Sequence, residues 1–544
     1  MLSQTMMTEN PKGFLSGLLH LTYSNPLYNY TLMGRSPPRL LGTPPELLTG
    51  NAATGQSILA GLFPFQGRRY GFTSFRDLSE QSNEQWLAFL HSFKWLSDLR
   101  RVGSEDTHRY GQELIAQWLE AYDKWDDFCW RPDILGARVA SWISHFAFLS
   151  MGANQTFLNK VLCELGRQSR HLSRSVLRGQ PGHPRITALK GLIYAGIALP
   201  QSESYLVQGM GALELEINRQ RYPDGGHISR NPSIQKDFLR DLLEIELALT
   251  TAHFRVPNWL NQSNHCIAEM LQGMRLGDGG LARFNGGGSC GSEEIEALLS
   301  KVKIRKKAPS AYLHSGFHRL EAAQTVLVMD VGTPPARDAN RWGHAGALSF
   351  ELSAGKERLI VNCGATGILG EDWHQALRST AAHSTVCVDD VNSAELDVLG
   401  GFKRIPKKIN CSRRELGGRA VIDAKTDGYE EILDLIHRRI IMMSSDGSEI
   451  LGEDQLQGTG GRRYILRFHL HPNVQATLIQ HGNAALLKPR RGAGWKFAAN
   501  NQEILIEDSI YLDGSNRPRR SQQLIVTGEL LGRGASIKWS LTRN

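Results

Sequence analysis

From about Ser82 to Ser300 the apolar residues recur at helical spacing. Trp86, Phe89, Phe93 and Leu96 form one stripe, Leu114, Trp118 and Tyr122 a second, and Val139, Trp142, Ile143 and Phe146 a third, so each segment turns one face to a core. The same spacing predicts helices around 157–172, 186–199, 205–219, 237–251 and 258–274. Breakers such as Arg131-Pro132-Asp133, Gly182-His183-Pro184 and Gly277-Asp278-Gly279-Gly280 fall between them. Many helices joined by short breaks imply antiparallel hairpins, arranged as a bundle, a solenoid or a closed α/α toroid. No fixed-period repeat is visible, which disfavours a regular solenoid.

After about Ala308 the period changes to two and β-branched residues become frequent. Strands are predicted at 348–352, 359–363, 385–388, 432–442, 464–470, 504–506 and 524–527, separated by Gly, Asn and Asp turns. Strands in succession without long helices between them predict an antiparallel sandwich. The whole reads as an α+β multidomain chain. Residues 1–80 form a leader and an irregular segment packing on the helical domain, 81–305 the helical domain and 306–544 the β-domain, with the boundary in the basic, proline-marked segment 301–310.

Composition narrows the class. The chain has 544 residues, 41% hydrophobic and 21% charged, enough for two large cores and typical of a globular protein. No apolar run approaches the roughly 20 residues that span a bilayer. The apolar patch Phe14, Leu15, Leu18 and Leu19 is broken by Gly13, Gly17 and His20 and lacks a small-residue cleavage site. It reads as an amphipathic leader or first helix rather than a secretion signal. Seven cysteines, odd in number, widely spread and without a CxxC pair, suit a reducing compartment, so a cytoplasmic location is favoured over a periplasmic one. A net charge of +8 favours an acidic partner. No P-loop, zinc-finger spacing or aromatic RNA-binding signature is present, so nucleic acid is not expected.

Histidine is the natural acid or base near neutral pH, and three of the 18 sit in unusual settings. His227 follows a glycine pair in Asp224-Gly225-Gly226-His227-Ile228-Ser229-Arg230-Asn231-Pro232, a loop that presents polar groups before a helix. Its bland alternative is a helix-capping loop whose ring binds a backbone carbonyl. His344 lies in Arg341-Trp342-Gly343-His344-Ala345-Gly346-Ala347, with small neighbours that leave the imidazole accessible; the alternative is a turn histidine. His383 ends the polar approach Leu377-Arg378-Ser379-Thr380-Ala381-Ala382, where a buried histidine bonded to Ser or Thr is the plain reading. His469 and His471 alternate on one strand face, two potential metal ligands without a third.

At these segments the chain resembles the heparinase II/III-like polysaccharide lyases. The resemblance rests on 224–232, on Gly343-His344-Ala345-Gly346-Ala347-Leu348-Ser349-Phe350-Glu351-Leu352 with 359–364, and on 378–390. Bacterial members that also carry a segment like Arg39-Leu40-Leu41-Gly42-Thr43-Pro44-Pro45 have no known substrate. It implies an incomplete α/α toroid followed by an antiparallel β-sandwich, and a carbon–oxygen lyase acting on an acidic, uronate-containing polysaccharide or oligosaccharide. Such an enzyme removes the proton at C5 of the uronate and expels the oxygen at C4. It must neutralise the carboxylate, take the proton and protonate the leaving oxygen. No cofactor is required.

By this resemblance His227 and His344 are the catalytic candidates, one from each domain, at a cleft between them. Arg230, Asn231 and His383 are candidates to hold the carboxylate or orient the histidines, with Arg283 and Arg378 behind them, since a guanidinium binds a carboxylate through two parallel hydrogen bonds. Characterised members supply a tyrosine from the helical domain, yet none lies between Tyr222 and Tyr312 here. Either Tyr222, Tyr312 or another distant tyrosine enters the cleft, or the histidines make both proton transfers. Some members hold a structural zinc with an acid or histidine two residues past the cleft histidine and an acid in the next strand; Gly346 and Asn362 stand there, which weighs against zinc. A toroid glycoside hydrolase pairing Asp224 with Glu244 or Glu246, and a non-catalytic glycan-binding or envelope-assembly protein, are the alternatives, with a homodimer as the oligomer considered.

Overall fold

The computed structural model describes residues 21–78, 83–288, 291–304, 307–335, 339–366, 369–500, 502–513 and 517–544. The leader reading falls outside them, Leu21 excepted. The chain divides into two compact units, one running to Glu216 with Asp241–Pro257, the other made of Ile217–Arg240 and Asn258–Asn544. The second begins well before 306 and takes in the loop that carries His227.

The first unit is helical, with Glu105–Ala121, Pro132–Ser144, Gln155–Ser175 and His183–Ala198 as its main elements. Ser104 and Asn154 cap two of them through side-chain oxygens that accept backbone N–H groups. The predicted stripes are buried, as at Leu114, Trp118 and Trp142. Helices Pro132–Ser144 and His183–Ala198 touch backbone to backbone. A Cβ on Gly136 would lie 2.5 Å from Ala188 Cα, so no larger residue fits there. Residues 21–78 are less irregular than expected, with helices Pro26–Leu32 and Ala52–Leu59 and a hairpin of Leu62–Phe65 and Arg68–Gly71. They pack on the longer helices through Tyr28 Oη on His171 Nδ1 at 2.6 Å and Leu41 N–H on Ala198 O at 2.8 Å.

In the second unit two antiparallel sheets share one apolar core. The eight-stranded sheet runs, in spatial order, Ile409–Leu416, Arg419–Tyr429, Leu435–Met443, Glu449–Gly458, Ala535–Arg543, Trp495–Ala499, Ala484–Pro489 and Val474–Ile479. The nine-stranded sheet contains Phe350–Ala354, Glu357–Val361 and Arg463–Leu470 as neighbours, with Val386–Val388 also beside Arg463–Leu470. Core residues come from both sheets, and Phe350 of one stacks on Trp539 of the other with ring centroids 5.7 Å apart. Leu435–Met443 alternates buried and half-buried along its whole length, the period expected of a strand with one face inward.

Two predicted strands start late. The strand expected from 348 begins at Phe350, because Leu348 adopts φ +59°, a left-handed conformation costly for leucine. The one expected from 432 begins at Leu435, after a helical turn Glu430–Leu433 that ends on a left-handed Asp434.

A charge sits inside the sandwich. Arg439, with no solvent exposure, donates to Asp454 Oδ1 at 2.7 Å, to Leu348 O at 2.8 Å and to Ser384 O at 2.7 Å. Asp454 also accepts from Trp539 Nε1 at 2.9 Å and meets His437 Nε2 at 2.7 Å. Burial alone raises the Asp454 carboxyl, but the Arg439 charge and the hydrogen bonds from His437 and Arg439 outweigh it and hold it at about 2. Replacing Arg439 by Met leaves a buried carboxylate without its cation, which is expected to cost about 3–5 kcal/mol. The check is the fall in the urea midpoint; an unchanged midpoint refutes this role.

Candidate functional site

The loop before helix Pro232–Thr251 is fixed from both sides. Arg221 and His227 pair as an isolated antiparallel bridge, and Gly225 closes the turn at φ +89°, where a Cβ would lie 2.1 Å from Cys266 O. His227 N–H donates to Gln235 Oε1 at 2.6 Å, and Gln235 Nε2 donates to Gly225 O at 2.8 Å and Ile267 O at 3.0 Å. Ser229 N–H donates to His227 Nδ1 at 3.1 Å. A ring nitrogen that accepts a backbone N–H carries no proton, so this pattern assigns His227 as the Nε2–H tautomer, a donor that is buried in the resting structure. The expected capping loop is real, but Asn231 does the capping: its Oδ1 accepts from Ser233 N–H at 2.8 Å and Ile234 N–H at 3.2 Å.

The loop around His344 is fastened almost residue by residue. Gly343 O accepts from Arg378 Nε at 2.9 Å, Ala345 N–H donates to Arg378 O at 2.8 Å, and Ala345 O accepts from Thr380 Oγ1 at 2.7 Å. Ala347 O accepts from Thr385 Oγ1 at 2.9 Å. The two histidines of this region touch: His344 Nδ1 lies 3.0 Å from His383 Nε2, and His383 Nδ1 lies 2.7 Å from Ser379 O. A carbonyl only accepts, so His383 carries its proton on Nδ1 and its Nε2 accepts. His344 therefore donates from Nδ1, and its Nε2 holds a lone pair. Gly346 makes room for this contact, since a Cβ there would lie 2.6 Å from His383 Cδ2. Burial, with the charges of His383, Arg378 and His374 adding to it, holds His344 well below the ordinary histidine range. Burial likewise lowers His383 to about 4, against the pull of Ser379 O. His383 is thus buried, with its ring between Ser379 O and His344.

Asn285 ties the two loops together. At φ +49° it accepts His344 N–H on Oδ1 at 3.3 Å, donates from Nδ2 to Arg230 O at 3.3 Å, and its own carbonyl accepts from Asn231 Nδ2 at 2.9 Å. All of His227, Arg230, Asn231, Asn285, His344, Arg378 and His383 belong to the second compact unit.

The arginines differ from expectation. Arg230 spends its guanidinium on the carbonyls of Ser315, Gly316, Gly332 and Thr333 and on Asp330, which uses every N–H it has. Arg378, without exposure, holds Gly343 O and Gly401 O at 2.9 and 2.5 Å. Arg283 is buried over the Tyr511 ring, 4.3 Å from its centroid, and donates to Leu512 O. Arg230 and Arg378 hold backbone with their guanidinium groups, whereas Arg283 engages Leu512 O through Nη1 and leaves its buried Nε without a hydrogen bond among the described residues.

The other candidates find different uses. His469 bonds Ser509 Oγ at 2.8 Å and Ala381 O at 2.9 Å, while His471 lies beyond the strand end with its ring on Tyr511, so the two do not converge. Among the described residues no group of three or more His, Cys, Asp or Glu gathers as a metal-ligand set. Asn362 donates to Arg283 O and accepts from Ser384 N–H. Asp224 Oδ2 accepts from the N–H groups of His314 and Ser315, each at 2.8 Å, and Glu244 pairs with Lys190 at 2.6 Å, so Asp224 and one of its two candidate partners in the hydrolase pairing are already engaged. Tyr312 Oη donates to Glu269 O at 2.9 Å.

Sequence reasoning missed Asn285, Ser379, Gln235 and Arg439. Asn285 stands before three glycines, a left-handed setting that its type favours and that was available as a signal. Ser379 acts through its backbone carbonyl, which no side-chain pattern reveals.

Residues 71–275 match the heparinase II/III N-terminus and residues 304–540 the heparinase II/III-like C-terminal region. FtsZ-localized protein C of Caulobacter vibrioides is 28% identical over 93% of this chain and 91% of its own. A crystal structure of heparinase III superposes with a TM-score of 0.72 at 14% identity, covering 98% of this chain and 91% of that one. Heparan sulfate lyase HepC from Pedobacter heparinus gives 0.63 at 16%, covering 90% and 82%. These likenesses show the fold, an N-terminal α/α toroid followed by an antiparallel β-sandwich. No helix among the described residues is long and apolar enough to cross a membrane.

The buried imidazoles make stability depend on pH. In the folded chain His383 stays neutral down to about 4 and His469 down to about 3. An unfolded histidine takes up its proton near about 6.5, so below that pH the unfolded state binds more protons and folding weakens as pH falls. The denaturation midpoint is expected to drop between neutral pH and about 4.5, with a shallower slope in His469→Gln. A midpoint level across that window contradicts the burial of these rings as neutral bases.

Proposed function

We propose, for a chain that belongs to the heparinase II/III-like family, that it is a carbon–oxygen lyase cleaving a uronate-containing polysaccharide or oligosaccharide by β-elimination. The observation that carries this reading is the pair of opposite tautomers: an acceptor on His344 Nε2, a donor on His227 Nε2. His344 takes the C5 proton, the electrons of that bond form the C4–C5 double bond, the C4–O bond breaks, and the leaving oxygen, hydrogen-bonded by His227 Nε2–H, receives that proton from His344, so that both imidazoles end neutral. The positive charge that arises on His344 between the two transfers is shared through Nδ1–H with His383, whose own N–H rests on Ser379 O. His344 makes both proton transfers, which answers the missing tyrosine. No step calls for a cofactor.

Ultraviolet absorbance of the unsaturated uronate is the test, run on a panel of uronate glycans. His344→Ala is expected to lower kcat by about 10²–10⁴, the usual weight of general acid–base catalysis, and His227→Ala comparably. Because His344 is held neutral, kcat/KM should stay level through the ordinary histidine range and fall only at more acid pH. Folded protein that produces no unsaturated product from any member of the panel sinks the lyase reading.

A second reading is favoured by the relative named for its localisation with FtsZ and by the sequence, which has no tyrosine between Tyr222 and Tyr312. In it the chain is a non-catalytic glycan-binding or envelope-assembly protein on the same fold. Glycan binding that survives loss of both histidines, without turnover, supports it.

A further inference from the structure

The lyase reading leaves one task without a residue. A uronate carboxylate must be neutralised before its C5 proton becomes acidic enough to remove, yet Arg230, Arg283 and Arg378 are committed to carbonyls, carboxylates and rings inside the protein. Asn231 is largely spent as a helix cap and on Asn285.

Another arginine lies three residues before His344. Arg341 is exposed, and among the described residues no carboxylate or carbonyl takes its guanidinium. The guanidinium carbon sits 5.3 Å from the centroid of the Trp342 ring. Trp342 is itself 38% exposed, in a protein that buries Trp95, Trp118, Trp130, Trp142 and Trp495 almost completely. The backbone beneath this pair is not loose. Gly401 N–H donates to Arg341 O at 3.3 Å, Gly343 N–H to Asn340 O at 2.8 Å, and the His374 ring meets the indole edge to face at 4.7 Å. The pair also lies beside the other loop, because a Cβ on Gly286 would be 3.1 Å from Trp342 O and 3.5 Å from Asn231 Nδ2.

From this juxtaposition we propose that Arg341 and Trp342 form the uronate-binding platform of the site, the guanidinium taking the carboxylate in a bidentate grip and the indole taking the apolar face of a pyranose ring. The inference rests on the lyase reading of His344. Arginine suits the task because it stays charged and its planar fork matches a carboxylate. A partly exposed indole supplies a wide apolar face. Its place on the loop that carries the base puts the neutralising charge on the same rigid segment as the proton acceptor. The substrate class this selects is a glycan with its carboxylate on the sugar ring, rather than a sulfated neutral sugar.

Calorimetric binding of glucuronate-, iduronate- and mannuronate-containing tetrasaccharides to the full chain carrying His344→Gln tests this, with carboxyl-reduced tetrasaccharides as the comparison. Adding Arg341→Gln is expected to weaken binding of a carboxylated tetrasaccharide about tenfold and leave the reduced one unchanged, since one charge-assisted contact is lost. Trp342→Ala should weaken both. With His344 intact, Arg341→Gln should raise KM by the same factor and lower kcat as well, because the charge that acidifies C5 is gone, while the affinity for the carboxyl-reduced tetrasaccharide stays unchanged, a selectivity that a fold defect would not give. If carboxylated tetrasaccharides bind and Arg341→Gln leaves their affinity unchanged, the platform is refuted while the lyase reading stands. If none binds to the chain with Arg341 present, the uronate reading falls and the platform with it.

Discussion

The site depends on a buried cation. Arg439 lies on the eight-stranded sheet and reaches the carbonyls of Leu348 and Ser384, the residues that close the His344 and His383 segments. A guanidinium in an apolar core is stable only with its charge answered, and Asp454 provides that answer while the carbonyls of Leu348 and Ser384 take both donors of Nη1. Leu348 pays for the arrangement with a left-handed backbone, held by its N–H on Asp330 O and its carbonyl on Arg439. That reversal lets the chain leave the histidine loop and enter strand Phe350–Ala354 within two residues.

Above this anchor the chemistry follows from hydrogen-bond direction rather than from charge. A carbonyl at Ser379 sets the proton of His383, His383 sets that of His344, and a backbone N–H at Ser229 sets that of His227. The carbonyl and the backbone N–H at the ends of these contacts cannot exchange their roles, so the two histidines hold complementary tautomers. Burial reinforces this by making the imidazolium costly in the resting state.

The helices were legible because their apolar faces repeat at 3.6 residues and their breaks fall at Pro and Gly, as at Pro132 and Gly182. Strands with an unbroken apolar face, such as Arg463–Leu470, were equally plain. Some missed strands, such as Thr325–Asp330 and Ala535–Arg543, bury apolar residues in runs too short to tell from a helix by period, and others have inward positions that are not apolar. Glu449–Gly458 buries Gly452 and Asp454 between Ile450 and Leu456, and Ile409–Leu416 is an edge strand exposed over most of its length. The histidine segments were legible from their glycines and small neighbours. The roles of Arg230 and Arg378 were not, because nothing in a sequence distinguishes a guanidinium that holds a carboxylate from one that holds carbonyls 23 to 103 positions away.

The central claim is the tautomer pair, and nitrogen-15 NMR of the imidazoles at neutral pH addresses it without any substrate. The account predicts a His344 ring protonated on Nδ1 with a bare Nε2, coupled to His383, and a His227 ring protonated on Nε2. A His344 that carries its proton on Nε2, or on both nitrogens, contradicts it.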